Sequence, residues 1–240
     1  MLTPLVSVTL PSIYGNSKPL FPRLARATPD FSAVLDRVKS MAPALRWSDL
    51  YRPYDVQLQS HQDYVTGKKK AFSPPPGGSF HESGRAMDID LATIGMDLAS
   101  FWNFLKPLGL VPIIGTPNDK LSEAWHFDFR GSHQVVYDYV ASGKVAAMYS
   151  PYAQAARSAI LATGQHVAGV PDQDIALIQS GLIRLGQDPG PIDGVAGFRT
   201  NAAANAVGAT MDNVDTKLGE LLRAKFPAEF GVLAASASSA

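Results

Sequence analysis

The 240-residue chain has no cysteine, which excludes disulfide staples and thiolate metal sites and leaves histidine and carboxylates as the ligands for any transition metal. It has no net charge either. Its 21 Lys and Arg balance 21 Asp and Glu, so the broad basic field that marks a nucleic-acid partner is missing. Nowhere do about eighteen apolar residues run together, so no transmembrane helix or membrane partner is expected. The start, Met1 to Pro11, has no basic residue, contains two prolines and is too short for a signal h-region with a cleavage site, so no signal peptide is expected. What remains, at 46% hydrophobic, is enough for the cores of one medium and one small domain, expected as a monomer.

The residues with chemistry fall close together. Ser79-Phe80-His81-Glu82-Ser83-Gly84-Arg85-Ala86-Met87-Asp88 is followed by Glu123-Ala124-Trp125-His126, so two imidazoles and the carboxylates of Asp88 and Glu123 lie within 46 residues. A catalytic zinc needs three N or O ligands, an open position for water, and a nearby carboxylate to take the proton of that water. His81, Asp88 and His126 meet the first need and Glu123 the last. Met87, Ile89 and Leu91 alternate with Ala86, Asp88 and Asp90, the two-residue period of a half-buried strand, which sets Asp88 opposite the apolar face. Trp125, Phe127 and Phe129 alternate with His126, Asp128 and Arg130 in the same way, so two adjacent strands bring Asp88 and His126 together. His81 has the wrong parity for one unbroken strand, and Ser83-Gly84 supplies the turn that swings it back.

Each of these residues alone has a plainer reading. A histidine beside an aromatic strand is commonly a hydrogen-bonded core residue, and an aspartate after Gly-Arg-Ala is often a strand-end group. Five specified residue types in a ten-residue window seldom coincide by chance, which favours the metal. The pattern Ser-x-His-x-x-Gly-x-Ala-x-Asp, then Glu-x-x-His, resembles that of the zinc D-alanyl-D-alanine carboxypeptidases, their vancomycin-resistance dipeptidase relatives and the L-alanyl-D-glutamate endopeptidases of phage endolysins. The resemblance covers roughly residues 30 to 145. It implies that His81, Asp88 and His126 bind Zn2+ and that Glu123 is the catalytic base. It also implies an arginine ahead of the first histidine, between a strand and a helix. Arg52, in Asp49-Leu50-Tyr51-Arg52-Pro53-Tyr54-Asp55-Val56-Gln57, fits that position and would steady the substrate oxyanion. Ser79 matches the family's serine near the substrate, and a helix after Pro53 is expected to carry Gln57 toward the site, so both are expected to bind substrate. Asp90 and Asp128 share faces with Asp88 and His126 and are expected to support ligands rather than to bind metal. His61, His133 and His166 fall outside the motif spacing and are expected at helix surfaces or caps.

Elsewhere, Thr28-Pro29-Asp30 opens a helix whose apolar stripe is Phe31, Val34, Leu35, Val38 and Met41. Leu98, Phe101, Trp102 and Leu105 mark another, stopped at Pro107 and Gly109. Strands, a helix and then strands predict an α+β domain with a small antiparallel sheet carrying the zinc site. After about residue 145 the composition shifts toward alanine, with a linker-like helix expected from Ala146 to Leu161 and a break from Gly164 to Pro171. The expected organisation is a catalytic domain at 1–150, a linker at 151–171, an all-α three-helix domain at 172–233 and a disordered tail at 234–240. Gln179, Leu182, Leu185, Gly186, Asp193, Gly194, Gly197 and Thr200 resemble the pattern of the small peptidoglycan-binding domain, with Thr200 read as a helix N-cap.

Three functions compete. A zinc peptidase cutting peptidoglycan stems, tethered to the wall by its C-terminal part, is favoured. A non-catalytic wall-binding protein is disfavoured by the complete ligand and base set. A lysostaphin-type endopeptidase needs a His-x-His pair, and none occurs. Carboxypeptidase action on terminal D-Ala and endopeptidase action at L-Ala-D-Glu or at a cross-bridge all stay open. The resemblance further implies action in the cell wall or periplasm, with the chain held in the cytoplasm until a phage lysis system releases it.

Overall fold

The computed structural model describes residues 1–19 and 23–231. The chain divides into two compact units, Leu5–Gly131 and a second made of Met1–Pro4 together with the chain from Ser132 onward.

The first unit is α+β. Two short strands, β1 (Val6–Ser7) and β4 (Arg26–Ala27), pair antiparallel. Six others form one sheet in the order β3 (Gly15–Pro19), β2 (Pro11–Ser12), β5 (Trp47–Asp49), β6 (Ala86–Ile89), β8 (His126–Phe129) and β7 (Leu110–Pro112). The sheet is mixed rather than wholly antiparallel, because β2 and β5 run parallel. The long connection between them contains α1 (Pro29–Met41), which gives the chain the length to return in the same direction. Pro29 opens α1, and its buried face is Phe31, Leu35 and Val38. Met41, at the end of the expected stripe, is two-thirds exposed. α3 (Leu98–Leu105) buries Leu98, Phe101 and Leu105 against Phe127 and the same core. α2 (Tyr54–Val65) differs: the single residue it buries is Gln57.

One ion pair ties α1 to the sheet. Arg85, fully buried at the head of β6, donates twice to Asp30 at 2.9 and 3.0 Å. Its guanidinium also lies 5.4 Å from the centre of the Phe129 ring on β8.

The second unit is helical among the described residues: α4 (Gln134–Ala141), α5 (Pro151–Ala162), α6 (Gln173–Arg184), α7 (Phe198–Ala206) and α8 (Val214–Lys225). Residues 151–171, expected as a linker, are mostly α5, which packs on α4 and α6. Its buried Ala155, Ala156 and Ala159 explain the composition: small side chains let neighbouring helices approach closely. Ile178, Leu182, Ala203, Ala204, Val214, Leu218 and Leu222 form the core of α6, α7 and α8. Thr200 lies inside α7 rather than capping it, since the helix opens at Phe198, and its hydroxyl donates to the Pro189 carbonyl at 3.2 Å. His133 is fully buried rather than at a helix surface, with Nδ1 2.8 Å from Ser158 Oγ. The expected tail at 234–240 lies outside the described residues.

A buried polar knot closes this unit. Both oxygens of Glu229 accept from Arg184 at 2.6 Å, and they also accept from Thr3 Oγ1 at 2.9 Å and Ser132 Oγ at 2.6 Å. Removing one member of a buried ion pair leaves the other charge uncompensated. Glu229→Ala should therefore cost about 3–5 kcal/mol by denaturant unfolding, and a loss below ~1 kcal/mol would mean the knot is solvated or replaceable.

Candidate metal centre

The β6–β8 register does what the alternation implied: the antiparallel pairing sets Asp88 directly across from His126. His81 arrives from a single 3-10 turn, Phe80–Ser83. Ser79 opens that turn as a capping box, accepting from the His81 N–H at 3.3 Å while its own N–H donates to Glu82 at 3.2 Å. Gly84 closes it at φ 63°, where a Cβ would stand 2.8 Å from Leu5 Cδ2. Glycine is needed there on both counts, and it reverses the chain so that His81 faces Asp88.

The three facing atoms form a small triangle. His81 Nε2 lies 3.2 Å from Asp88 Oδ1 and 3.2 Å from His126 Nδ1, and the third edge, His126 Nδ1 to Asp88 Oδ1, is 2.9 Å. Tetrahedral zinc with bonds of about 2.0–2.1 Å requires ligand atoms roughly 3.3 Å apart, so the triangle is close to zinc size. The far side of each imidazole is tied. His81 Nδ1 lies 2.6 Å from the Leu50 carbonyl, which only accepts, so Nδ1 carries the proton and Nε2 keeps its lone pair for the triangle. His126 Nε2 lies 2.8 Å from Asp128 Oδ1, which frees Nδ1 by the same logic. Asp128 thus supports a ligand as expected. Asp90 does not, because its carboxylate caps the next turn by accepting from the Ala92 N–H at 3.0 Å.

Three lone pairs this close need positive charge among them, from a proton or from a cation. Burial opposes charge on His126, but the Asp128 carboxylate and the hydrogen bonds to Asp128 and Asp88 overcome it and push the imidazole up to about 10. Burial likewise opposes ionisation of Asp88, yet the histidines hold it well below the usual carboxylate range. A metal here competes with a proton at His126, and the donor set of two imidazoles and one carboxylate without thiolate suits zinc with an open position.

Glu123 stands just before β8. It is the one non-glycine residue with positive φ among the described residues, at 68°. Its Oε1 is buried with no hydrogen-bond partner there. Burial first, and then the Asp88 carboxylate, raise its pKa. A backbone at positive φ thus holds a carboxylate with one unpartnered buried oxygen within electrostatic reach of Asp88, His81 and His126.

Arg52 joins β5 to α2. Its N–H donates to the His81 carbonyl at 3.0 Å, and Nη2 lies 3.8 Å from Asp88 Oδ2. Ser79 and Gln57 are buried, and the polar atoms of Gln57 are used inside the protein.

Three groups escaped the motif reading. The Leu50 carbonyl has no side-chain signature, so nothing in the sequence marks it. Asp49 grips Arg52 and lies across from Asp88 on β5, a pairing visible only once the strands are aligned. Glu82 accepts from the Gly77 N–H at 2.9 Å and holds the proline-glycine loop onto the His81 turn, and burial pushes it up to about 7 despite those hydrogen bonds. Its spacing from Ser79 was the available signal.

No family model matches the chain, and no curated protein matches it. A solved structure described as the LdcB LD-carboxypeptidase, reported for the molecular basis of peptidoglycan recognition, aligns with a TM-score of 0.36 and 19% identity over 52% of this chain and 66% of that one. The chain therefore spans just under two thirds of the length of the protein it is similar to.

Proposed function

We propose that the chain is a zinc-dependent peptidase that hydrolyses the peptide stems of peptidoglycan. The observation that carries this reading is the triangle of His81 Nε2, Asp88 Oδ1 and His126 Nδ1, with both imidazoles tied from behind and an unpartnered Glu123 carboxylate nearby. The substrate class rests on the resemblance of the Ser79–Asp88 and Glu123–His126 motifs. No described helix is long and apolar enough to cross a membrane. The proposed place of action is the cell wall or periplasm, with the C-terminal part of the chain as the wall anchor.

Zinc held by His81, Asp88 and His126 would supply Lewis acidity, acidifying a bound water and polarising the scissile carbonyl. Glu123 takes the proton of the attacking water and returns it to the leaving amine, a role suited to a carboxylate whose pKa is raised by burial and by the Asp88 carboxylate. Arg52 donates hydrogen bonds to the carbonyl oxygen as it gains negative charge. His81, Asp88 and His126 hold the metal, while the Leu50 carbonyl and Asp128 keep the two rings in the required tautomers.

Chelation should abolish lysis of purified walls, and added zinc should restore it; lysis that survives complete metal removal excludes the zinc mechanism. Glu123→Gln should keep stoichiometric zinc by metal analysis but lose about 10²–10⁴-fold in turnover of a soluble stem peptide, whereas His81→Ala should lose the zinc itself. Mass spectrometry of the new chain ends separates L-Ala-D-Glu cleavage from release of terminal D-Ala.

The ligands and Glu123 all lie within Leu5–Gly131. A chain limited to 5–131 should bind zinc and cleave the soluble peptide like the full protein, yet lyse intact walls and pull down with peptidoglycan markedly less. Equal wall binding by both would remove the C-terminal part as an anchor.

A further inference from the structure

Arg52 is buried, and three of the five N–H donors of its guanidinium are committed within the protein. Nε–H and one Nη2 hydrogen reach Asp49 Oδ2 at 3.0 and 2.5 Å, and one Nη1 hydrogen reaches Gln57 Oε1 at 2.8 Å. One N–H on each terminal nitrogen stays uncommitted among the described residues. Asp88 Oδ2, 3.8 Å from Nη2, shows that this end of the guanidinium lies beside a metal ligand.

Both partners of Arg52 are themselves immobilised. Asp49 Oδ1 accepts from the Leu50 N–H at 2.9 Å, and the Leu50 carbonyl in turn accepts from His81. Gln57 Nε2 donates to the Pro74 carbonyl at 2.6 Å and to Ser73 Oγ at 3.2 Å. A carbonyl cannot donate, so the amide nitrogen must face Pro74 and Oε1 must face Arg52. The Ser73 hydroxyl continues to Ser60 Oγ at 3.0 Å, which also accepts from Lys69 Nζ at 2.9 Å. Gln57 is the one residue α2 buries, and burying an amide where a leucine would pack gains nothing unless its hydrogen bonds are needed. A buried Asp–Arg pair is likewise a weak source of stability compared with apolar residues of the same size. What the two achieve together is orientation.

We propose that Asp49 and Gln57 are positioning residues that clamp Arg52 from two sides, holding one N–H of each terminal nitrogen out beside Asp88 for the oxygen of a substrate carbonyl. The proposal rests on the peptidase reading of the site and gives Gln57 a role behind the arginine instead of against substrate. It also explains why an arginine serves here: a lysine has no planar fork to be gripped along one edge while the other stays available.

A double-mutant cycle on the full-length, zinc-loaded protein tests it, with a soluble stem peptide as substrate. Asp49→Asn should lower kcat on the order of 10–100-fold with KM and zinc affinity nearly unchanged, because the contact it aligns is made in the transition state. Gln57→Met, which removes the acceptor of Nη1 and leaves the carboxylate in place, should lower kcat by a smaller factor. In an Arg52→Ala background neither substitution should reduce turnover further, since their effect passes through the guanidinium. Equal fold-losses in both backgrounds would overturn the clamp. A second readout is independent of turnover. In proton-nitrogen NMR the Arg52 Nε–H of the unaltered protein should exchange slowly with solvent, and Asp49→Asn should abolish that protection. An Arg52 Nε–H exchanging as fast as an exposed arginine in the unaltered protein overturns the clamp, whatever the activity. Protection that Asp49→Asn removes, in a protein that does not cleave the peptide, supports the clamp and defeats the peptidase reading.

Discussion

The antiparallel register of β6 against β8 is the constraint from which the site follows. It sets Asp88 across from His126 on one face and leaves Met87 and Phe127, paired one step earlier, to fill the core on the other. A slip of β6 by one residue would turn Asp88 into the core and Met87 out. That alternative is closed off by the burial of Met87, Phe127 and Ile89 and by the Arg85–Asp30 pair, which fixes the head of β6 against α1. A packing requirement thereby sets Asp88 and His126 side by side without any further device.

The ligands are expensive to bury, and the surrounding residues offset that cost. The two imidazoles are buried and the Asp88 side chain is only 14% exposed, and an isolated buried charge is unfavourable by several kcal/mol. Each is held by a partner that leaves the inward-facing atom available: a backbone carbonyl behind His81, a carboxylate behind His126, a guanidinium near Asp88. Glu123 departs from this rule. Its Oε1 has no partner and its backbone is held at positive φ, so the fold maintains there a group that local energetics disfavour. Such departures from local consistency concentrate where chemistry is done.

Polar burial in the second unit serves a different end. The Glu229 knot draws on Thr3, Ser132 and Arg184, residues far apart in sequence, and its carboxylate oxygens accept from all three. Those donors converge on one carboxylate, whereas Arg52 keeps two N–H groups uncommitted among the described residues. The contrast separates a network that closes on itself from one that ends at a reactive centre.

Much was legible in the sequence because it depends on local periodicity. The alternation around Asp88 and His126 placed both on one strand face, the stripe of Phe31, Leu35 and Val38 marked α1, and Gly84 announced the turn that presents His81. Composition left more open: the alanine-rich stretch expected as a linker-like helix is α5, whose alanines form a packing face, and His133, expected at a helix surface or cap, is the N-cap residue of α4 with its ring in the core. The parallel pairing of β2 with β5 was invisible because register between distant strands leaves no periodic trace. Tertiary structure alone decided which nitrogen of each histidine faces Asp88, since the partner that settles His81 is a backbone carbonyl 31 residues away. It also decided that Gln57 and Asp49 serve Arg52. Sequence fixes which groups are available and which face of an element they occupy. Their hydrogen-bond partners are set by residues brought together only when the chain closes, and these determine what the groups can do.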